Sequence, residues 1–147
     1  MKLKYALLLI PFLITQLGFA QASAEKLQQI KQLKIGFITT EIDLTTSEST
    51  KFWPVYNEYQ DRILDLIQRR NSTYDKNIKG KNVDKLSETD AKKVLEEMEE
   101  YESKILDYKQ KMNSALEPII GSVKTIKLRI AEENFKRKLL NQYRKNK

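Results

Sequence analysis

Glu96, Glu97, Glu99, Glu100 and Glu102 are the densest set of groups in this sequence that could hold a hard cation. Calcium and magnesium need several oxygens converging on one point. Successive helical residues point in different directions, so a helical run cannot converge without a loop, and a solvated helix face is the better reading. Tyr56, Tyr59, Tyr101 and Tyr108 could form an aromatic binding strip, but their spacing favours core positions with hydroxyls at the rim. The sequence has no His and no Cys. Imidazole and thiol nucleophiles, proton shuttles near neutral pH and the usual zinc, copper and nickel ligands are therefore missing. The four Gly are dispersed, which excludes a phosphate-cradling loop. The expectation is a protein that is not an enzyme, with no catalytic residue, no metal and no cofactor.

The elements that carry these residues come from a duplication. Residues 44–66 and 86–108 are two copies of one pattern, offset by 42. Leu44/Leu86, Lys51/Lys93, Glu58/Glu100, Tyr59/Tyr101, Ile63/Ile105, Leu64/Leu106 and Asp65/Asp107 are identical. Each copy opens with Leu, then a hydroxyl residue, Thr45 or Ser87, then an acid three residues on. That is a helix start: the hydroxyl accepts a backbone N–H and the acid meets the positive end of the helix dipole.

Four helical segments follow. The first, from Ala24 to about Glu41, carries Leu27, Ile30, Leu33 and Phe37 on one stripe. The second runs from the Thr45 cap to about Thr73 with Phe52, Tyr56, Tyr59, Ile63 and Leu66, flanked by Trp53 and Ile67. Pro54 lies inside it and removes a backbone bond to Thr50, which predicts a kink with Trp53 packed at the bend. Residues 77–84, with Gly80, read as a turn. The third helix starts at Ser87 and carries a heptad seam of the coiled-coil kind: Val94, Met98, Tyr101, Ile105, Tyr108, Met112, Ala115 and Ile119. Its partner is another part of the chain or a second copy, and a homodimer is expected. Pro118 and Gly121 end it, and a basic last helix from Ser122 to Arg144 carries Leu128, Ala131, Phe135 and Leu139. No segment alternates with period two, so no sheet is predicted.

Lys2 and Lys4 precede the apolar run Tyr5–Leu17, and small residues follow at Gly18 and Ala20. This pattern predicts a signal peptide over residues 1–20, cleaved between 20 and 24, and a periplasmic protein. No Cys follows to carry a lipid. The remainder, 21–147, is expected to be a single helical domain. Net charge is +7, and Gly121–Lys147 alone holds nine Lys/Arg against two Glu. Such a basic segment suits acidic polypeptides or, weakly, an anionic membrane surface; export argues against nucleic acid. The candidate partner-binding residues are Trp53, Tyr56, Lys127, Arg129, Lys136 and Arg137. Leu44, Thr45, Phe52, Trp53, Pro54, Tyr59, Leu86, Ser87, Tyr101, Ile105 and Phe135 are the expected structural motif.

An export signal, a first helix and two helices opened by Leu44-Thr45-Thr46-Ser47-Glu48 and Leu86-Ser87-Glu88-Thr89-Asp90 resemble the Spy/CpxP family with its LTxxQ motif. Both copies put an acid where that family has Gln. The string Lys51-Phe52-Trp53-Pro54-Val55-Tyr56-Asn57-Glu58-Tyr59 and the basic stretch Ile126–Leu140 are similar to exported Bacteroidetes proteins known as sensors of ECF-type sigma factors. The resemblance implies an all-α fold: an elongated, bent helical hairpin of about four helices that acts in the envelope stress response. It also implies a protein partner. That partner is an unfolded client held by an ATP-independent chaperone, or a membrane-bound regulator of an extracytoplasmic-function sigma factor.

Overall fold

The computed structural model describes the backbone of residues 10–145 and the side chains of residues 25–145. The signal-peptide reading depends on side chains of residues 1–24 and lies outside the described residues. The described residues form three α-helices, α1 (Ile10–Glu41), α2 (Thr46–Asn77) and α3 (Glu88–Lys145), with a short 3-10 turn at Val83–Lys85. No strand occurs among them. The all-α expectation holds, but there are three helices rather than about four. The predicted third and fourth helices are one element, continuous through Pro118 and interrupted at Gly121, whose φ of 78° and ψ of 161° are not helical. That backbone region is open essentially to glycine alone. A Cβ built at Gly121 meets nothing within 4 Å, so the constraint is conformational rather than steric crowding. Gly121→Ala is therefore expected to lower stability by about 1–3 kcal/mol in urea unfolding; an unchanged midpoint would show that the break relaxes into helix at no cost.

The helix starts follow from local chemistry. The Thr45 hydroxyl accepts the Glu48 N–H at 3.2 Å, and the Glu48 carboxylate accepts the Thr45 N–H at 2.9 Å. This reciprocal arrangement satisfies two of the donors a helix N-terminus leaves open. In the second copy the Ser87 hydroxyl accepts the Asp90 N–H at 3.1 Å. Asp90 is one methylene shorter than Glu, and its carboxylate accepts a hydrogen bond from the Ser87 hydroxyl at 2.7 Å instead. Asp43, ahead of the first cap, sits at φ 53°, a left-handed conformation that Asp tolerates better than most residues. The turn between α2 and α3 uses Gly80 at φ 70°. It ends where the Asn82 side chain accepts the Asp84 N–H at 3.0 Å.

The chain divides into two compact units, one from Met1–Ile42 with Ile130–Lys147 and the other Asp43–Arg129. In the second unit α2 and α3 run antiparallel. Tyr59 faces Tyr108 with ring centroids 6.5 Å apart, the Gln60 amide approaches the Met112 sulfur at 3.6 Å, and the Thr73 hydroxyl donates to Glu97 at 2.8 Å. This register sets the stretch around Ile63 opposite the stretch around Ile105, its own copy. The 42-residue offset is therefore a two-fold rotation, with its axis perpendicular to both helices and passing between them. Several equivalent positions accordingly show similar burial. Phe52 and Val94 are both buried, as are Ile63 and Ile105. Tyr59 and Tyr101 are both half-buried, as are Leu44 and Leu86 ahead of the caps.

The α3 seam departs from a strict heptad. Ile105 and Met112 are buried, but beyond them the buried residues are Leu116 and Ile120, while Ala115 and Ile119 are half-buried. A straight helix has 3.6 residues per turn and drifts about 20° per heptad, so the core face moves on by one residue. After Gly121, Thr125 and Leu128 are buried in the same unit.

In the first unit the predicted α1 stripe is displaced. Leu27 and Leu33 are 50% and 61% exposed, whereas Ile38 and Ile42 are fully buried. Phe37 packs on Phe135 with centroids 5.6 Å apart, and the Lys138 ammonium lies 5.4 Å from the Phe37 ring centre. Lys34 pairs with Glu132 at 3.8 Å.

Candidate functional site

Two faces of the α2–α3 hairpin differ in chemistry, and the duplication builds both. One is ionic. Glu58 pairs with Arg62 at 3.2 Å, and their copies Glu100 and Lys104 pair likewise. Asp65 pairs with Arg69 at 2.9 Å, and their copies Asp107 and Lys111 pair at 2.8 Å. Each i,i+4 pair contributes only about 0.3–0.5 kcal/mol, so their chief effect is a neutralised, well-solvated surface. Tyr108 lies among them, with the Arg62 guanidinium 5.9 Å and the Lys111 ammonium 5.7 Å from its ring centre. Thr73–Glu97 falls on the same side.

The other face carries large apolar side chains in water. Leu64 is 38% exposed and its copy Leu106 57% exposed. Leu95 is 60% exposed, and its counterpart Trp53 is half-buried, edge-on to Phe52 at 4.9 Å and to Tyr56 at 5.4 Å. Residues 53 and 64, like 95 and 106, are separated by three helical turns and share a side of their helix. The sequence reading singled out Trp53 but passed over Leu64, Leu95 and Leu106. The available signal was the identity of Leu64 and Leu106 at positions outside the buried stripe.

Tyr56, favoured as core but also named as a candidate contact, is core, and the contact reading is corrected. Only 3% of it is exposed, and it stacks on Phe52 at 5.2 Å. Its place one turn after Phe52 on the buried stripe is the physical reason. Lys127, Arg129, Lys136 and Arg137 are exposed. Lys127 and Arg129 belong to the Asp43–Arg129 unit, and Lys136 and Arg137 to the other. Lys127 pairs with Asp43 at 3.1 Å, and Arg137 bonds the Asn134 amide. In the acidic run, Glu96 pairs with Lys92 at 3.8 Å, while Glu97 and Glu100 hold Thr73 and Lys104. Among the described residues no three His, Cys, Asp or Glu side chains converge as a metal site would need.

The basic segment is partly engaged at the start of α2. The Lys124 ammonium donates to the Asp43 carbonyl at 2.7 Å and to the Glu48 carboxylate at 2.6 Å. Glu48 is thus held below the usual carboxylate range, first by Lys124 and next by the Thr45 N–H. A carboxyl lowered in the folded state stabilises above its unfolded pKa, and that contribution is lost as pH falls through the folded value. Below pH 4.5, the ordinary value for Glu, the thermal midpoint is expected to fall. Glu48→Gln should flatten that acid limb and leave its slope elsewhere unchanged. Superimposable pH profiles for the two proteins would contradict the assignment. No family model, no curated protein and no solved structure matches this chain.

Proposed function

We propose that this is an exported, non-enzymatic protein of the envelope stress response that binds other polypeptides, in its most concrete form an ATP-independent chaperone of the Spy type. The observation that carries the reading is the exposed apolar surface of the α2–α3 hairpin. Leu64, Leu95, Leu106, Val123 and Ile126 are all more than a third exposed within one small unit. Exposed apolar groups set among charges give weak, sequence-tolerant binding: charge brings a client in, and scattered apolar contact retains it. The sequence resemblance points the same way.

Under this reading α2 bends at Pro54. Its copy is Glu96, so one repeat lacks a backbone bond where the other has it. The test is aggregation of a chemically denatured client, followed by light scattering at low salt with near-stoichiometric protein. Suppression is expected from the wild type. Pro54→Ala should suppress less while its thermal midpoint holds or rises. Absence of suppression by the wild type would end the chaperone form, and an unimpaired Pro54→Ala variant would end the role of the bend.

The second reading is a component that signals through a membrane-bound regulator of an extracytoplasmic-function sigma factor. It expects one partner and a saturable interface, and the similarity of Lys51–Tyr59 to the sigma-factor sensors favours it. Membrane-surface binding ranks lowest. The stripe Leu128, Ala131 and Phe135 of the basic segment is taken up by the core, while Val123, Ile126 and Ile130 of the same segment are exposed, and no described helix is long and apolar enough to cross a membrane.

A further inference from the structure

We infer that the apolar face of the α2–α3 hairpin is a docking groove for a basic amphipathic helix of the bound polypeptide. This rests on the protein-binding reading and specifies the partner class. The groove is built from two related stripes. On α3, Leu95, Glu99, Glu102 and Leu106 follow one another at steps of four, three and four and so share a side of the helix. The copies on α2 are Trp53, Asn57, Gln60 and Leu64. A two-fold axis perpendicular to both helices keeps each face on its own side, so the two stripes border one groove. Leu64 and Leu106 stand at the same level near its middle, Trp53 lies toward one end and Leu95 toward the other.

Duplication makes the exposed leucines informative. Most identical pairs have a structural role. Ile63/Ile105 fill the core, Tyr59/Tyr101 lie between the helices, Glu58/Glu100 and Asp65/Asp107 form ion pairs, and Leu44/Leu86 precede the caps. Lys51/Lys93 is exposed, as lysine ordinarily is. Leu64/Leu106 is exposed and fills none of these roles. Single exposed leucines need no explanation, but apolar residues aligned at three-turn intervals on neighbouring helices form a track.

Charge selects the occupant. The carboxylates of the opposite face, Glu58, Asp65, Glu100 and Asp107, are each paired with a cation. Glu99 and Glu102 are exposed and have no ion-pair partner among the described residues. A polypeptide lying along the groove must meet an apolar side chain every three turns, about 16 Å, with the carboxylates of Glu99 and Glu102 between Leu95 and Leu106 and the neutral amides of Asn57 and Gln60 between Trp53 and Leu64. A helix with leucine-like residues on one side and Lys or Arg beside them fits that alternation, as a third helix added to a pair. The track from Trp53 through Leu64 and Leu106 to Leu95 spans about 33 Å, the length of roughly 22 helical residues.

Calorimetric titration with designed peptides tests this. The probe is a peptide of about 22 residues made of leucine and lysine, with every leucine on one helical side. Its control has glutamate for lysine. The leucine–lysine peptide should saturate at one per protein, with the control at least about tenfold weaker. Leu64→Ala with Leu106→Ala should weaken binding by about tenfold with the thermal midpoint retained, since both side chains are exposed. Glu99→Gln with Glu102→Gln should remove most of the salt dependence. Equal affinity for the two peptides, or undiminished binding by the leucine variant, would overturn the proposal. So would a dimer in sedimentation that the leucine variant dissociates, because the groove would then belong to a second copy. A protein that suppresses client aggregation yet ignores the leucine–lysine peptide refutes this groove alone. One that does neither refutes the protein-binding reading itself.

Discussion

Replacing Ile63 and Ile105 together by alanine is expected to abolish cooperative folding of the Asp43–Arg129 unit. The two side chains are 2% and 7% exposed and stand at the two-fold axis that relates the copies. Each single substitution empties a buried aliphatic site and should cost about 2–5 kcal/mol. The two sites face each other, so the double variant opens a joined cavity rather than two independent ones, and the effects need not add. A domain of this size has roughly 5–15 kcal/mol in total, so the pair consumes most of it. Urea unfolding followed by circular dichroism gives the result directly. Each single variant should lower the midpoint, and the double variant should show no folded baseline at 25 °C. Midpoints equal to wild type would mean that the helices do not meet at this register.

The second large effect is expected at Phe52. It is fully buried, edge-on to Trp53 at 4.9 Å and stacked on Tyr56 at 5.2 Å. Phe52→Ala should cost about 3–5 kcal/mol, the usual loss for emptying an aromatic core site. Aromatic pairing adds to the area lost. Its copy is Val94, so one end of the two-fold pair is filled by a larger side chain than the other. Trp53 is the only tryptophan, so its emission reports the same event. Phe52→Ala should shift that emission to the red under native conditions as water reaches the indole. A destabilised protein with unshifted emission would show that Trp53 is held by other contacts.

What the sequence made legible was local or periodic. The caps at Thr45 and Ser87 depend on residues three apart, and both formed. The duplication was visible as identities, and its burial pattern followed, because residues at the same place on equivalent helices face the same way. The departures have physical causes. A stripe on α1 shows which side of a helix will be covered if a partner is there, not how far the partner extends. Leu27 and Leu33 are exposed for that reason, and Ile38 and Ile42 are buried. The heptad pattern on α3 fails after Met112 because helix geometry drifts away from a repeat of seven. Gly121 was legible as a break, and the backbone is non-helical there, inside the element Glu88–Lys145. Tyr56 was read as a core position and also kept as a candidate contact, because aromatic residues serve both roles; burial alone decides, and burial depends on tertiary packing. The leucines at 64, 95 and 106 were missed for the converse reason, since nothing in a leucine's identity says that it will face water.

The proposed binding of other polypeptides through the hairpin that the duplicated helix forms can be tested from one side chain. Trp53 borders the exposed apolar surface and is the only tryptophan in the chain, so its fluorescence is the most direct probe. The experiment is a titration of the protein with a reduced, unfolded, tryptophan-free polypeptide at low salt. A protein that binds clients on this surface should give a saturable blue shift of the emission that added salt weakens. Emission that stays constant through a several-fold molar excess of the unfolded polypeptide would contradict binding there.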